Sequence, residues 1–314
     1  MENQSKSTVL TDEEAKQKIQ HMVDGLGKPR RSPIMHTPAE EGLEFEDVFF
    51  QSLDGVPLEG WFIPAKGSDK LIIVNHPMGF SRSGFPAHLE PWKSAFSGTG
   101  NDFEINFISD FRVLHDAGYN ILAYDLRHFG QSGVKSGTVS NGIFESRDVV
   151  GSLIYARSRE DLKHMRIGLF SRCLGASSTI FAIDKYPEYF KDVLCLVAPQ
   201  PLSVRVIMER ELEMNGISDR INELEQAIQI ATGFKIDELT ARNAAQSVKL
   251  PTLMYGVHDD LLVRPKDIES IYANIGAEDK KFFWIEGTTS RWQGYAYFAK
   301  NPDVILDWFA THMN

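Results

Sequence analysis

Six short runs, 70–75, 120–125, 167–170, 193–198, 252–256 and 282–286, are nearly continuous in apolar side chains. Each is too short for a helix and is bounded by turn-forming residues, as expected of strands buried on both faces. Between them lie longer segments with helical spacing of apolar positions: 103–117, 143–158, 174–186, 265–275 and 300–312. Strand–helix alternation predicts right-handed βαβ units and a parallel sheet. Ahead of this series, 45–52 and 57–64 flank the turn Leu53-Asp54-Gly55-Val56, which predicts a hairpin at an antiparallel edge.

Two stretches are longer than ordinary connections. Segment 80–102 is rich in Gly, Ser, Pro and aromatic residues, a length that marks a functional loop. Segment 199–249 carries helical patterns at 209–214, 220–231 and 236–245 between two core strands, and reads as a helical cap above their C-terminal ends. The expected organisation is an N-terminal arm (1–40, with a short helix at about 11–24), an α/β core (41–198 and 250–314) and the cap (199–249).

The chemistry concentrates at Ser171-Arg172-Cys173-Leu174-Gly175, where an apolar run meets a turn of small residues and then a helical segment. Three further landmarks follow core strands in order: Asn75-His76-Pro77-Met78-Gly79, Asp125-Leu126-Arg127-His128-Phe129-Gly130-Gln131-Ser132, and Gly256-Val257-His258-Asp259-Asp260. Together the four resemble the α/β-hydrolase superfamily over residues 45–314. The resemblance implies a mostly parallel twisted sheet flanked by helices, with the cap as an insertion. It also makes the 171–175 turn a nucleophile elbow, with a thiol where the superfamily usually has a serine. Cysteine elbows are similarly found in dienelactone-hydrolase-like members.

In that frame Cys173 is the candidate nucleophile, since a helix N-terminus favours the thiolate that does the chemistry. The resemblance places oxyanion donors at the amides of Met78 and Leu174; Pro77 has no N–H to offer. Counting from Gly256 favours Asp259 as the acid, while counting back from Val263 and Arg264 favours Asp260. The superfamily's histidine is missing. After the last strand the chain reads Gly287-Thr288-Thr289-Ser290-Arg291, which leaves Ser290 in the triad slot, and the next histidine is His312 in the final helix. His76 and His128 are the candidate surrogate bases because both follow core strands. Phe80, Arg172, Arg291, Trp292 and Tyr295 are the expected substrate-binding residues, lining an apolar pocket under the cap.

Composition narrows the partners. The chain has 314 residues, 42% hydrophobic and 24% charged, with a net charge of −10, which disfavours nucleic acid and anionic membrane. No apolar run approaches the roughly 20 residues that span a bilayer, and the N-terminus lacks an apolar signal segment. Two cysteines make no disulfide framework, so a reducing, cytoplasmic setting is expected, with Cys195 as a buried structural thiol. No ligand spacing argues for a metal, and no cofactor is expected. The expected partner is a small apolar or acyl substrate. Activated acyl groups (thioesters, lactones, aryl esters) tolerate a missing histidine best, because their leaving groups need little protonation. Acyl transfer or another non-hydrolytic reaction is a variant, and a non-catalytic protein binding a small apolar ligand or a partner is the alternative.

Overall fold

The computed structural model describes residues 10–96 and 98–314. In chain order the helices and strands are α1 (Asp12–Gly27), β1 (Glu46–Gln51), β2 (Pro57–Ile63), β3 (Lys70–Asn75), β4 (Gly84–Phe85), α2 (Trp92–Ala95), β5 (Ile105–Asn106), α3 (Ile108–Asp116), β6 (Asn120–Tyr124) and α4 (Ser146–Ser158). They continue with β7 (Arg166–Ser171), α5 (Leu174–Lys185), β8 (Val193–Val197), α6 (Val204–Met214), α7 (Ile221–Thr232), β9 (Thr252–Val257), α8 (Pro265–Asn274), β10 (Lys280–Ile285), α9 (Arg291–Tyr295), α10 (Tyr297–Lys300) and α11 (Asp303–His312).

One sheet of eight strands, in the order β1-β2-β6-β3-β7-β8-β9-β10, organises the molecule. The hairpin β1–β2 and the β2–β6 pair are antiparallel, and every other pair is parallel. Apolar clusters cover both faces. Leu71, Ile73, Leu122 and Leu169 point to the side of α4 and α5, whereas Ile72, Val74, Ala123 and Phe170 point to the side of α3 and α11. This alternation is the two-residue period of a strand whose neighbours are helices on both sides. Each fully buried Leu, Ile or Phe contributes about 1.5–3 kcal/mol, so the central strands form a rigid base for the loops at their C-terminal ends.

The expected elements differ from those observed where backbone pairing competes with helical pattern. The helix expected from 103 begins only at Ile108, because Ile105–Asn106 pair with Gly84–Phe85 in a small antiparallel ribbon. The last helix starts after Pro302, and 291–300 form two short helices of their own. In the cap, 236–245 does not form a regular helix; short 3₁₀ turns stand at Ile236–Glu238 and Ala244–Ser247.

The N-terminal helix packs against α6 and α7. Thr11 and Glu14 form a reciprocal capping box at its start. Ala15, Ile19, Met22, Val23 and Leu26 then pack into a cluster with Met208, Leu212, Leu224 and Ile228 of α6 and α7. Beyond α1 the arm runs over the core loops. Arg31 donates to the carbonyls of Gly130 and Ser132, Ser32 donates to the Gly79 carbonyl, and the His36 amide donates to Ser83 Oγ. Among the described residues no helix is long and apolar enough to cross a membrane.

Candidate active site

Strand β7 and helix α5 meet at Cys173 in a turn with a cost. Cys173 has φ 51° and ψ −108°, a left-handed backbone for a side-chain-bearing residue, worth about 1–3 kcal/mol of strain. The surrounding hydrogen bonds hold it there. The Arg172 amide donates to the Asn75 carbonyl at 2.9 Å, the Cys173 amide to Pro199 at 2.9 Å, and the Gly175 amide to Arg172 at 2.8 Å. Gly175 is required because a Cβ there would lie 2.6 Å from the Asn75 carbonyl oxygen.

The residue that reaches toward this turn from β10's side is Arg291. Its Nη1 donates to Asp260 Oδ2 at 2.7 Å, its Nη2 to the Gln200 carbonyl, and its Nε to Tyr295 Oη at 2.8 Å. The Tyr295 side chain belongs to the same buried cluster as Cys173. Burial, with a further push from Cys173 against the pull of Arg291, holds this phenol well above its usual range. It therefore keeps its proton at neutral pH. Because the phenol oxygen already accepts from Arg291, its single O–H is left to donate elsewhere.

Asp260, not Asp259, is the aspartate in this chain. Asp260 is buried, and its second oxygen accepts from the Leu262 amide at 2.8 Å. Asp259 is exposed and hydrogen-bonded to His258 at 2.7 Å. Ser290, expected in the triad slot, donates instead to Asn101 Oδ1 at 2.8 Å; its neighbour Arg291 holds the acid. His76 cannot serve as the base. Its Nδ1 sits 2.7 Å from the Pro77 carbonyl, and its Nε2 accepts from the Leu126 amide at 2.9 Å, so neither nitrogen is free. Burial also pushes its pKa down. His128 lies in a separate cleft, whose lining includes neither Cys173 nor Asp260.

Arg172, expected to touch substrate, is turned inward. It is fully buried, ion-paired with Asp110, and stacked 3.7 Å from the Phe170 ring and 4.6 Å from Phe107. Met78 and Leu174 do present amides with no acceptor among the described residues. Phe80, Trp292 and Tyr295 come together as expected, with ring centroids 5.3–5.8 Å apart. Phe85 and Phe96 of the long loop complete this cluster against Trp292. The aromatic group leaves Cys173 only 6% exposed. Asn101 pins the end of the long loop over it by accepting from Ser290 Oγ and, at 3.0 Å, from the Trp292 amide.

No protein-family model matches the chain. A curated relative, the uncharacterised protein YfhR of Salmonella typhi, is 23% identical over 259 residues, 80% of this chain and 75% of that protein. Among solved structures, the Pyrococcus furiosus esterase Pf2001 superposes with a TM-score of 0.67 at 21% identity, covering 91% of this chain and 99% of that one. A dienelactone hydrolase from Anabaena variabilis gives 0.54 at 17% identity, covering 87% and 99%. The α/β hydrolase GrgF from a Penicillium species gives 0.58 at 16%, covering 86% and 99%.

The chain has the α/β-hydrolase fold.

Within that fold two residues escaped the sequence reading. Gln200, just past β8, has φ 55° and grips Arg291 from both sides: its carbonyl accepts from Nη2, and its Nε2 donates to the Arg291 carbonyl at 3.1 Å. Asn101 ties the long loop to α9. Neither carries a sequence signal, because each works through a contact about 90 or more residues away along the chain. Arg291 and Tyr295 were expected to bind substrate, whereas Arg291 is engaged with Asp260 and with Tyr295.

Proposed function

We propose that this protein is a hydrolase-type acyl enzyme whose nucleophile is Cys173. In this reading Tyr295, Arg291 and Asp260 take the place of the histidine–acid pair. The observation that carries it is the chain of contacts running from the Asp260 carboxylate through Arg291 to the Tyr295 phenol, which burial keeps protonated and which shares a buried cluster with Cys173.

A histidine would take the thiol proton and return it to the leaving group. Arginine and a high-pKa phenol do neither at neutral pH. They can favour the thiolate, one by charge and the other by a donated hydrogen bond. The thiolate then attacks an acyl carbon, the S–C bond forms, and the carbonyl oxygen's charge falls to the amides of Met78 and Leu174. The carbon–leaving-group bond breaks with its electron pair going to the leaving group, which departs as an anion. Substrates with weakly basic leaving groups (thioesters, aryl esters, strained lactones) fit this chemistry. The acyl-cysteine that remains is itself a thioester, open to water or to another nucleophile, so transfer and hydrolysis are both compatible with the site. Substrate would enter past the aromatic cluster of Phe80, Phe85, Phe96 and Trp292, which suits an apolar acyl chain.

The test is intact-protein and peptide mass spectrometry after exposure to p-nitrophenyl acetate. An acetyl adduct on Cys173, absent in Cys173→Ala, is expected. No adduct, or one elsewhere, overturns the proposal. A non-catalytic ligand-binding role is the second reading. It is favoured by the near-complete closure of Cys173, 6% exposed, and would be left standing by a sulfur that stays unmodified.

A further inference from the structure

A cleft of about 480 Å³ lies away from Cys173, where the C-terminal end of α1 meets the loop after β6. Lys28 and Arg31 stand on one side, Lys135, Ser136 and Gly137 on the other, and His128 between them. No carboxylate lines it among the described residues, in a chain whose net charge is −10. Arg31 is held by the neutral carbonyls of Gly130 and Ser132 at 3.0 and 2.8 Å, so its charge is not balanced by them. Lys135 donates to the Asp54 carbonyl at 2.6 Å and approaches the Asp54 carboxylate only to 3.8 Å. Asp54 is already bound by Arg127 and Arg147.

Two further features point to a ligand. His128 is 5% exposed, adopts φ 73°, and its Nε2 has no hydrogen-bond partner; such an orphaned buried nitrogen is costly unless something binds to it. The amides of the exposed residues Lys135, Ser136 and Gly137 also donate to no protein acceptor among the described residues and are open to a ligand or to water. Ser136 and Gly137 are both left-handed, at φ 75° and 68°. At the C-terminal end of α1 the carbonyls of Asp24 and Leu26 accept from Lys28, Val139 and Thr138.

We propose that this cleft binds the phosphate group of a small molecule. Three cations, a histidine and a set of free amides match a tetrahedral dianion better than a singly charged carboxylate, because more than one charge and several acceptor oxygens are needed to satisfy them. The site shares no residue with the Cys173 constellation and does not rest on it.

Calorimetric titration of the full chain with inorganic phosphate, against sodium chloride at matched ionic strength, tests this. Saturable binding is expected, weakened about tenfold or more by Lys28→Glu. Val134→Asp adds a carboxylate on an exposed rim residue while keeping every cation, so it guards against a folding artefact, and it should weaken binding comparably. Phenyl phosphate then identifies the source: competition with phosphate assigns the site to phosphomonoesters, and its exclusion assigns it to the free anion. No saturable phosphate binding by the unaltered protein, or variants that bind phosphate as tightly as the unaltered protein does, overturns the proposal.

Discussion

Two buried arginines show how one kind of cluster can end in structure or in chemistry. Arg127, after β6, is enclosed by carboxylates: its Nε and Nη2 donate to Asp148 at 2.9 and 2.8 Å, and its Nη1 and Nη2 donate to Asp54 at 3.2 and 2.6 Å. All three of its nitrogens donate, and only to carboxylates. Arg291, after β10, has one carboxylate, one carbonyl and one phenol. That last contact brings the arrangement into the buried cluster that holds Cys173. Both hold loops at the same edge of the sheet, yet only the second ends on a phenol that keeps an O–H to give.

The comparison breaks first under the largest perturbation. Replacing either arginine by leucine strands a buried carboxylate, and each change should cost about 3–5 kcal/mol in denaturant unfolding. Activity should separate them. Arg291→Leu should slow acylation of Cys173 per folded molecule, whereas Arg127→Leu should leave that rate within a factor of about two. Equal losses of rate would erase the distinction drawn here.

Closure over the sulfur is a smaller effect. Asn101→Ala removes the acceptor that Ser290 and the Trp292 amide share, at about 1–2 kcal/mol. Cys173 should then react several-fold faster with iodoacetamide. Cys195 serves as the internal control. It is fully buried in β8, and burial pushes its thiol up to about 12, so it should stay unmodified in both proteins.

The smallest effect is in acid. Burial opposes ionisation of Asp54, but its hydrogen bonds and charge contacts with Arg127, Ser52 and Arg147 win, and its pKa falls below 3.8. An acid whose folded pKa is lowered adds stability above the unfolded value and loses it as pH falls through the folded one. Asp54→Asn should therefore flatten the decline in stability below about pH 4, and an unchanged acid limb would argue against this ion pair.

The fold was legible because its signals are local. The short apolar runs at 70–75, 120–125 and 252–256 correspond to β3, β6 and β9 within a residue at each end. The hairpin turn at 53–56 likewise joins β1 and β2. The ribbon β4–β5 was not legible, since two-residue strands have no period to detect. The elbow's position could be read from small residues around Cys173. The identity of its neighbours could not. Asp259 and Asp260 differ only in which way one turn directs them, and Ser290 and Arg291 only in which one meets the acid. A one-residue choice in a loop is decided by tertiary contacts such as the Gln200 grip, which leave no trace in a local pattern.

The central claim is that the Tyr295 hydroxyl, held by Arg291 and Asp260, sets up the Cys173 sulfur. The most direct measurement is the rate of acyl-adduct formation on Cys173 with p-nitrophenyl acetate in the unaltered protein and in Tyr295→Phe, which removes one oxygen and keeps the ring packing. The account predicts a drop of about ten- to a hundredfold in that rate, the worth of one hydrogen bond to a charged atom. An unchanged rate in Tyr295→Phe would contradict it.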